Sequence, residues 1–263
     1  MVTRDTAWPA GTPCWVDVAA NDIGTAKLFY EEIFGWDIPP GREEFGGYTN
    51  ASIEGRLVAG LTPKMDPAQP TTWTMYFAVT DADAAAASIT ANGGTLLAEP
   101  MDVMDLGRMA IAVDPLGAVF GIWQAGTHSG IQRANEDGAL VWEEHMSPDF
   151  EKAKAFYSAV FGFGFTDMSG PDFTYASFNR DGSAEMGDAL GGIGQTDGQS
   201  PVPVGWAVYF QVPDVDSTVD DIVKRSGSVL LPPSDTPYGR MSLVSDPEGA
   251  AFYVMSPPAQ ASE

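Results

Sequence analysis

The sequence of 263 residues has little cysteine, histidine or basic charge. It contains one cysteine, Cys14, two histidines and 13 lysines and arginines, against 36 aspartates and glutamates. A single cysteine cannot form an intrachain disulfide, which favours a reducing, cytoplasmic setting. The formal net charge of −23 repels phosphate, and 13 scattered cations do not supply a clustered basic face. These shortages argue against nucleic-acid and membrane-surface binding, and they favour neutral or cationic small-molecule ligands.

Long apolar runs are missing as well. No stretch approaches the length of a transmembrane helix, and no charged start followed by an apolar run indicates a signal peptide. The hydrophobic fraction of 44% is nevertheless enough to build a sizeable core. The length favours about two domains. We therefore predict a globular cytoplasmic protein.

The chain repeats itself. The segment FYEEIFGW at residues 29–36 recurs as FYSAVFGF at 156–163, and DPLGAVF at 114–120 recurs as DPEGAAF at 246–252. Both order and spacing are kept, which indicates a tandem duplication. The predicted divisions are an N-terminal extension (1–10), a first domain (11–125), a linker (126–137), a second domain (138–256) and a C-terminal tail (257–263).

Each copy alternates strands with two helices. In the first copy, apolar periodicity predicts helices over Asp22–Phe34 and Ala82–Ala91, preceded by strands over Trp15–Ala19 and Thr72–Val79. Further short strands follow each helix. Each copy thus holds two βαβββ modules, and the chain holds four. The predicted fold is α+β, with mixed sheets that carry helices on one face and form a cup on the other.

These features resemble the vicinal oxygen chelate superfamily, which includes glyoxalase I, bleomycin-resistance proteins and extradiol dioxygenases. The resemblance rests on the Phe-Tyr-x-x-x-Phe-Gly helix end, the Gly-Gly after the second helix and the Asp-Pro-x-Gly turn before the last strand. It covers nearly the whole chain twice, and it is closest to tandem, two-domain actinobacterial members described as glyoxalase-like or hydroxylase-like. It implies two cup-shaped mixed sheets and a small-molecule ligand, and says little about the reaction.

In metal-using relatives the ligands come from the opening and last strands of each module. The resemblance places these positions in the first copy on Trp15, Thr74, Ala59 or Gly60, and Gly121, and in the second on Trp142, Ala207, Gly191 or Gly192, and Tyr253. None of these side chains suits the family's metals. We therefore predict that the metal site has been lost, with no metal and no cofactor.

The two histidines do not restore a metal site. His128 is predicted to be a solvated residue of the linker. Strand alternation places Glu143 and His145 on the face opposite Trp142 and Glu144, which favours a structural role for His145. A metal site built from displaced ligands is the least favoured alternative, and its candidates are Glu143, Glu144, His145 and Glu185.

The same alternation predicts what each cup contains. Each cup has aromatic walls and one carboxylate, Asp17 in the first cup and Glu144 in the second, and these two are the candidate general acids or bases. The candidate ligand-binding residues are Trp15, Thr74, Tyr76, Trp123, Trp142, Tyr209, Gln211 and Tyr253. Gly60 and Gly121 are predicted to leave space for a ligand. The alternative is that the aromatic residues simply pack as core.

Three functions follow from these residues. The favoured one is a metal-independent lyase, isomerase or hydroxylase that acts on, or a protein that binds, an aromatic or polyketide-like metabolite. The second is sequestration of a toxic compound without chemistry, as in bleomycin resistance. The third is a metal-dependent glyoxalase or dioxygenase. Because one chain supplies all four modules, a monomer is expected to suffice, and a homodimer is the alternative.

Overall fold

The computed structural model describes residues 1–180, 189–199 and 202–258. Its α-helices are α1 (Ile23–Phe34), α2 (Ala82–Ala91), α3 (Phe150–Phe161) and α4 (Val215–Lys224). Among the described residues, none of these helices combines the length and apolarity needed to cross a membrane.

The strands form a short ribbon and two large mixed sheets. The ribbon pairs β1 (Val2–Thr3) with β9 (Arg133–Ala134). The strands of the first sheet are β2 (Pro13–Ala20), β3 (Thr49–Ile53), β4 (Arg56–Pro63), β5 (Thr72–Ala78), β6 (Thr95–Val103), β7 (Gly107–Val113) and β8 (Val119–Ala125). Those of the second sheet are β10 (Leu140–Ser147), β11 (Gly164–Asp167), β12 (Tyr175–Asn179), β13 (Gly191–Gln195), β14 (Gly205–Gln211), β15 (Ser228–Thr236), β16 (Gly239–Ser245) and β17 (Ala251–Ser256).

Each sheet joins two modules through their opening strands. The order in the first sheet is β3-β4-β2-β5-β8-β7-β6, and the second sheet repeats it as β12-β13-β10-β14-β17-β16-β15 with β11 added at one edge. The opening strands β2 and β5 are antiparallel, and β4 and β8 run parallel to them on either side. The predicted α+β fold with a tandem duplication is confirmed.

The repeated helix motif has a physical basis at both helix ends. The Asp22 carboxylate accepts the N–H of Thr25 and begins α1, and Asp149 does the same at Lys152 for α3. Gly35, with φ of +69°, ends α1 in the left-handed region and donates its N–H to the carbonyl of Glu31. The Gly after each aromatic run is therefore a helix-ending residue.

The helix-covered faces of the two sheets pack against each other. Phe34 of α1 contacts Phe210 of the second sheet, with ring centroids 4.9 Å apart. Phe77 of the first sheet contacts Phe161 of α3, with centroids 4.6 Å apart. The aromatic residues of the repeated motif therefore fill a core that is shared by both copies. The opposite face of each sheet, which is the predicted cup face, carries Asp17 and Tyr76 in the first copy and Glu144 and Tyr209 in the second.

The predicted N-terminal extension (1–10) and the predicted linker (126–137) pack against each other and against the two copies. The linker contains β9, which pairs with β1 through Val2 and Ala134. The indole N–H of Trp8 donates to the carbonyl of Ile131 at 2.8 Å. These contacts tie the N-terminal residues to the seam between the two copies.

Arg108 and Arg240 each lie six residues before the aspartate of an Asp-Pro turn, but neither pairs with that aspartate. Arg108 pairs with Asp83 at 2.8 Å and with Asp102 at 2.9 Å. Arg240 makes the equivalent pairs with Asp216 and Asp235 in the second copy. The turn aspartates instead accept backbone N–H groups of their own turns.

Candidate functional site

A hydrogen-bonded group of side chains lies on the predicted cup face of the first sheet. Asp17 on β2 accepts the hydroxyl of Tyr76 at 3.0 Å and the hydroxyl of Tyr48 at 3.3 Å. The indole N–H of Trp15 donates to the Tyr48 oxygen at 2.7 Å. We call Trp15, Asp17, Tyr48 and Tyr76 the first carboxylate cluster. It links two opening strands and the segment before β3 through one buried carboxylate.

The second cup repeats this arrangement. The hydroxyl of Tyr209 donates to the Glu144 carboxylate at 2.7 Å, and the indole N–H of Trp142 donates to the Tyr175 hydroxyl at 3.1 Å. The Tyr175 hydroxyl also hydrogen-bonds to Glu144 and lowers its pKa. We call Trp142, Glu144, Tyr175 and Tyr209 the second carboxylate cluster. Both copies have therefore kept the same indole, tyrosine and carboxylate arrangement.

Burial sets the protonation of the two carboxylates. It raises the pKa of Asp17 to about 7, although hydrogen bonds from Tyr76 and Tyr48 act in the opposite direction. Burial also raises the pKa of Glu144, against hydrogen bonds from Tyr209 and Tyr175. At neutral pH Asp17 is present in both protonation states. A group poised in this way can act as a general acid or a general base.

The tyrosines remain donors under the same conditions. Burial first, and then the nearby carboxylate, raises the pKa of Tyr76 and Tyr48 beside Asp17. Burial and then Glu144 likewise raise the pKa of Tyr209 and Tyr175. Each carboxylate is therefore flanked by two protonated hydroxyl groups, which also suit the stabilisation of negative charge on a bound oxygen.

Sequence reasoning missed Tyr48 and Tyr175. Each lies 33 residues after the tryptophan whose indole donates to it, Trp15 for Tyr48 and Trp142 for Tyr175. This equal spacing was the available signal. It was overlooked because Tyr48 precedes β3 and Tyr175 begins β12, outside the opening and last strands where the other candidates were sought.

The glycines of the cups make room for these tyrosines. A Cβ atom on Gly60 would lie 1.9 Å from the Tyr48 hydroxyl oxygen, and one on Gly192 would lie 1.8 Å from that of Tyr175. A Cβ on Gly121 would lie 2.0 Å from Cδ1 of Tyr76. The prediction that Gly60 and Gly121 leave space for a ligand was therefore wrong, because tyrosine side chains fill that space.

The Gly121→Ala variant tests this packing. We expect it to lower the free energy of unfolding by about 2 kcal/mol, because the added methyl group forces the ring of Tyr76 out of its position. Urea denaturation measures the loss. In a Tyr76→Ala background the same substitution should have little further effect, since the clashing ring is gone. An equal loss in both backgrounds would contradict the assignment.

The other predicted ligand-binding residues differ in their burial and in their contacts. Thr74 is half-buried and is the cross-strand partner of Asp17. The ring of Tyr253 stacks on Tyr209, with centroids 4.1 Å apart and planes 3° apart. Trp123 is half-buried and donates its indole N–H to the carbonyl of His128. Gln211 donates to the carboxylate of Asp137 at 2.9 Å.

His128 lies against the first cup, so the prediction of a solvated linker residue was wrong. Its ring meets Trp15 edge-on, with centroids 4.5 Å apart. Its Nδ1 accepts the N–H of Gly130 at 3.2 Å, and burial lowers its pKa. A neutral imidazole with its proton on Nε2 satisfies both observations.

His145 lies on the helix-covered face, as strand alternation predicts. It is fully buried, and its Nε2 is 3.0 Å from the Oδ2 atom of Asp114 in the other copy. The Tyr157 hydroxyl donates to the same oxygen at 3.2 Å. His145 thus has a structural role between the copies. The side chains of Glu143 and Glu144 lie on opposite faces of β10, and Glu185 lies outside the described residues.

The described cup residues do not fit the metal site of the family. Within residues 1–180, 189–199 and 202–258, no group of three or more His, Cys, Asp or Glu side chains is placed to hold a metal ion. Asp17 is hydrogen-bonded to two tyrosine hydroxyls, and its strand neighbours are Thr74 and Gly60. Zinc and related ions need about three or more nitrogen, oxygen or sulfur ligands that converge.

Comparison with known proteins agrees with the fold and the duplication. The sequence model of the Glyoxalase/Bleomycin resistance protein/Dioxygenase superfamily matches residues 14–122 and again 144–254. CFP32 of Mycobacterium tuberculosis (strain CDC 1551 / Oshkosh), provisionally named a glyoxylase, is 37% identical over 259 residues, covering 95% of this chain and 96% of that protein. The anthracycline biosynthesis protein DauV of Streptomyces sp. (strain C5) is 35% identical over 268 residues, covering 95% of this chain and 94% of that protein.

Solved structures share the architecture at much lower identity. The Mn(II)-bound glyoxalase from Novosphingobium aromaticivorans superposes with a TM-score of 0.66 at 17% identity, covering 94% of this chain and 82% of that chain. The 2,3-dioxygenase LapB from Pseudomonas sp. KL28 gives a TM-score of 0.64 at 15% identity, covering 99% and 97%. These likenesses show the fold alone. With its two matched regions, the chain belongs to the Glyoxalase/Bleomycin resistance protein/Dioxygenase superfamily.

Proposed function

We propose that this chain is a superfamily member without the family's metal site, acting as a metal-independent enzyme on an aromatic or polyketide-like metabolite. The observation that carries the proposal is the repeated carboxylate cluster. Asp17 and Glu144 lie in the cups with one indole and two tyrosine hydroxyls each, among the positions that supply metal ligands in relatives. The same buried, hydrogen-bonded arrangement of one carboxylate, one indole and two tyrosines is present in both diverged copies.

The chemistry of the walls supports an aromatic ligand. Tryptophan and tyrosine rings stack on flat ring systems, while a carboxylate and phenolic hydroxyls hydrogen-bond to ring hydroxyl or carbonyl groups. Relatives from Streptomyces are named anthracycline biosynthesis proteins, and anthracyclines are fused-ring aromatic compounds. The strongly acidic chain also disfavours anionic ligands, because the net charge of −23 repels them.

Asp17 is the better candidate for the reacting group of the two. Its pKa of about 7 matches acid–base work at neutral pH. Asp17 is only 7% exposed, so a ligand reaches it by displacing a cluster member, and half-buried Tyr48 is displaced more easily than buried Tyr76. In the proposed step the Asp17 carboxylate takes a proton from a ring hydroxyl or an activated C–H group, while Tyr76 stays as the hydrogen-bond donor to it.

Sequestration of an aromatic compound without chemistry is the second candidate. The duplication favours it, because two similar clusters in one chain give two sites for the same ligand. Recovery of the unchanged compound at two molecules per chain would support this candidate over catalysis.

The test uses purified protein and 1,8-dihydroxyanthraquinone, a flat aromatic probe, together with a panel of polyketide ring systems. Tryptophan fluorescence measures binding, and mass spectrometry measures turnover. We expect both to persist in excess chelator. Turnover should fall more than tenfold in Asp17→Asn, since the amide cannot accept a proton. Glu144→Gln is the matched variant for the second cup.

The results separate the alternatives. Unchanged turnover in both amide variants would remove the two carboxylates from the mechanism. Turnover that is abolished by chelator and restored by a divalent metal, with stoichiometric metal found by elemental analysis, would overturn the metal-independent proposal. Sedimentation of the same samples checks the expectation of a monomer or a homodimer, and fractionation of cells checks a cytoplasmic location.

A further inference from the structure

The side chain of Asn50 contains a buried atom without a hydrogen-bond partner. This atom is the carbonyl oxygen Oδ1, and it accepts no hydrogen bond from the described part of the chain. Buried polar atoms in folded proteins nearly always have a partner, so a donor from outside the chain is needed here. A carbonyl oxygen can only accept a hydrogen bond. The missing partner is therefore a hydroxyl or N–H group of a bound molecule, or an ordered water.

Strand register places Asn50 in one row with Asp17. Asp17 on β2 is paired with Gly60 on β4, and Gly60 is paired with Asn50 on β3. Paired residues of neighbouring strands direct their side chains to the same face of a sheet. Asn50 thus lies on the predicted cup face, two strands or about 10 Å from Asp17. Because Gly60 has no side chain, the Tyr48 hydroxyl occupies the space above it.

The second copy contains a row of the same kind. Glu144 on β10 is paired with Gly192 on β13, and Gly192 is paired with Ser177 on β12. The side chain of Glu144 is one atom longer than that of Asp17. The side chain of Ser177 is one atom shorter than that of Asn50. The combined reach of the two polar side chains across the glycine is therefore equal in both copies, which favours a ligand that spans both polar groups.

Displacement of Tyr48 opens this row in the first cup. In the proposed function a ligand reaches Asp17 by displacing the half-buried Tyr48, whose hydroxyl lies above Gly60. The ligand edge that replaces this hydroxyl lies between Asp17 and Asn50. A hydroxyl group at one end of the edge meets the Asp17 carboxylate, and a second hydroxyl group meets the amide oxygen of Asn50. A water molecule would also satisfy Asn50, but it would not account for the equal reach of the two rows.

We propose that Asn50 is a specificity-determining residue of the first cup, which selects fused-ring ligands with two hydrogen-bond donors on one edge. Its amide oxygen accepts the second donor while Asp17 binds the first. This inference rests on the proposed function, because it takes an aromatic ligand to bind at Asp17. Rings whose second substituent is a methoxy group are disfavoured, since the buried end of the amide is an oxygen and a methoxy group cannot donate to it.

Binding of three matched probes to the full-length protein tests this selection: 2,7-dihydroxynaphthalene, 7-methoxy-2-naphthol and 2-naphthol. The indole N–H resonance of Trp15 in nitrogen-15 spectra reports on the first cup, because this group donates to Tyr48. The resonance of Trp142, which donates to Tyr175, reports on the second cup. In the first cup we expect 2,7-dihydroxynaphthalene to bind about tenfold more tightly than either probe with one hydroxyl group.

Variants connect the preference to the amide oxygen. Asn50→Leu keeps the branched shape and removes the acceptor, and Asn50→Ala removes it without adding volume. In both variants the preference of the first cup for the dihydroxy probe should fall from about tenfold to less than about twofold. The probes should still bind, because Asp17 keeps its contact with the shared hydroxyl group. Ser177→Ala is the matched variant in the second cup, and it should leave the Trp15 titration unchanged.

The outcomes separate this inference from the function on which it rests. Equal affinity of the wild-type first cup for 2,7-dihydroxynaphthalene and 7-methoxy-2-naphthol would overturn the role of Asn50 and leave the proposed function standing. The same conclusion would follow from a preference that survives in both Asn50 variants. Absence of a saturable Trp15 shift with all three probes would overturn the role of Asn50 together with aromatic binding in the first cup.

Discussion

Asp114→Ala is expected to lower the free energy of unfolding by about 4 kcal/mol, because removal of the carboxylate leaves the buried His145 ring, the Tyr157 hydroxyl and two turn N–H groups without their hydrogen-bond partner. Asp114 belongs to the first copy, yet its Oδ2 atom is bonded by His145 and Tyr157 of the second copy. Its Oδ1 atom accepts the N–H groups of Leu116 and Ala118 in its own turn. The substitution therefore breaks the turn and the contact between the copies together.

The second copy supplies a matched control. Asp246 accepts the Tyr30 hydroxyl at 2.9 Å and the N–H groups of its own turn, but Val18 stands where His145 stands in the other copy. Asp246→Ala should cost about 2 kcal/mol, because it removes one tyrosine hydrogen bond and the bonds of the turn but no histidine contact. Urea denaturation of both variants gives the comparison. Equal losses would show that the histidine contributes nothing to the contact between the copies.

The sign of the pH dependence follows from the same contacts. Burial raises the pKa of Asp114, but His145 and the backbone N–H groups of Ala118 and Leu116 together outweigh burial and leave this pKa below its ordinary value. A lowered carboxyl pKa stabilises the folded state above the unfolded pKa, and this contribution is lost as the pH falls through the folded value. The comparison of Asp114→Ala with Asp246→Ala therefore belongs near pH 7, where the contribution of Asp114 is complete.

Much of the fold could be predicted because local rules and the duplication agree. The predicted helix over Ala82–Ala91 has the same bounds in the structure, and the helix over Asp22–Phe34 differs only in that Asp22 is the capping residue. Strand alternation also correctly separated Glu144 in the cup from His145 on the helix-covered face. These features depend on residues that are close together in sequence.

The features that were missed depend on tertiary contacts. Gly60 and Gly121 were predicted to leave space for a ligand, because the sequence alone does not show that the side chains of Tyr48 and Tyr76 fill that space. His128 looked solvated because its linker is polar, but the chain folds back and places its ring on Trp15. The division into domains and the roles of the cup residues remain predictions.

Stability that falls steeply as the pH rises is the other large effect we expect. Burial raises the pKa of Glu143 from 4.5 to about 8 and the pKa of Asp17 from 3.8 to about 7. A carboxyl group with a raised folded pKa binds a proton on folding, so stability declines between the unfolded and the folded pKa by about 1.4 kcal/mol per pH unit. From pH 5 to pH 8 the losses are roughly 4 kcal/mol for Glu143 and roughly 3 kcal/mol for Asp17.

Urea denaturation between pH 5 and pH 8 measures this slope, and isosteric amide variants separate it from general charge repulsion. The excess of negative charge also destabilises the folded chain at high pH, but it is nearly unchanged in Glu143→Gln and Asp17→Asn. Each variant should remove its own part of the slope, Asp17→Asn below about pH 7 and Glu143→Gln up to about pH 8. The lowered pKa of His128 opposes this decline only below about pH 6.5, the raised pKa values of Glu144 and Asp246 add to it, and the lowered pKa values of Asp114 and Asp22 act below pH 4. A wild-type stability that stays level or increases from pH 5 to pH 8 would contradict the raised pKa values of both carboxyl groups, and with them the acid–base role of Asp17.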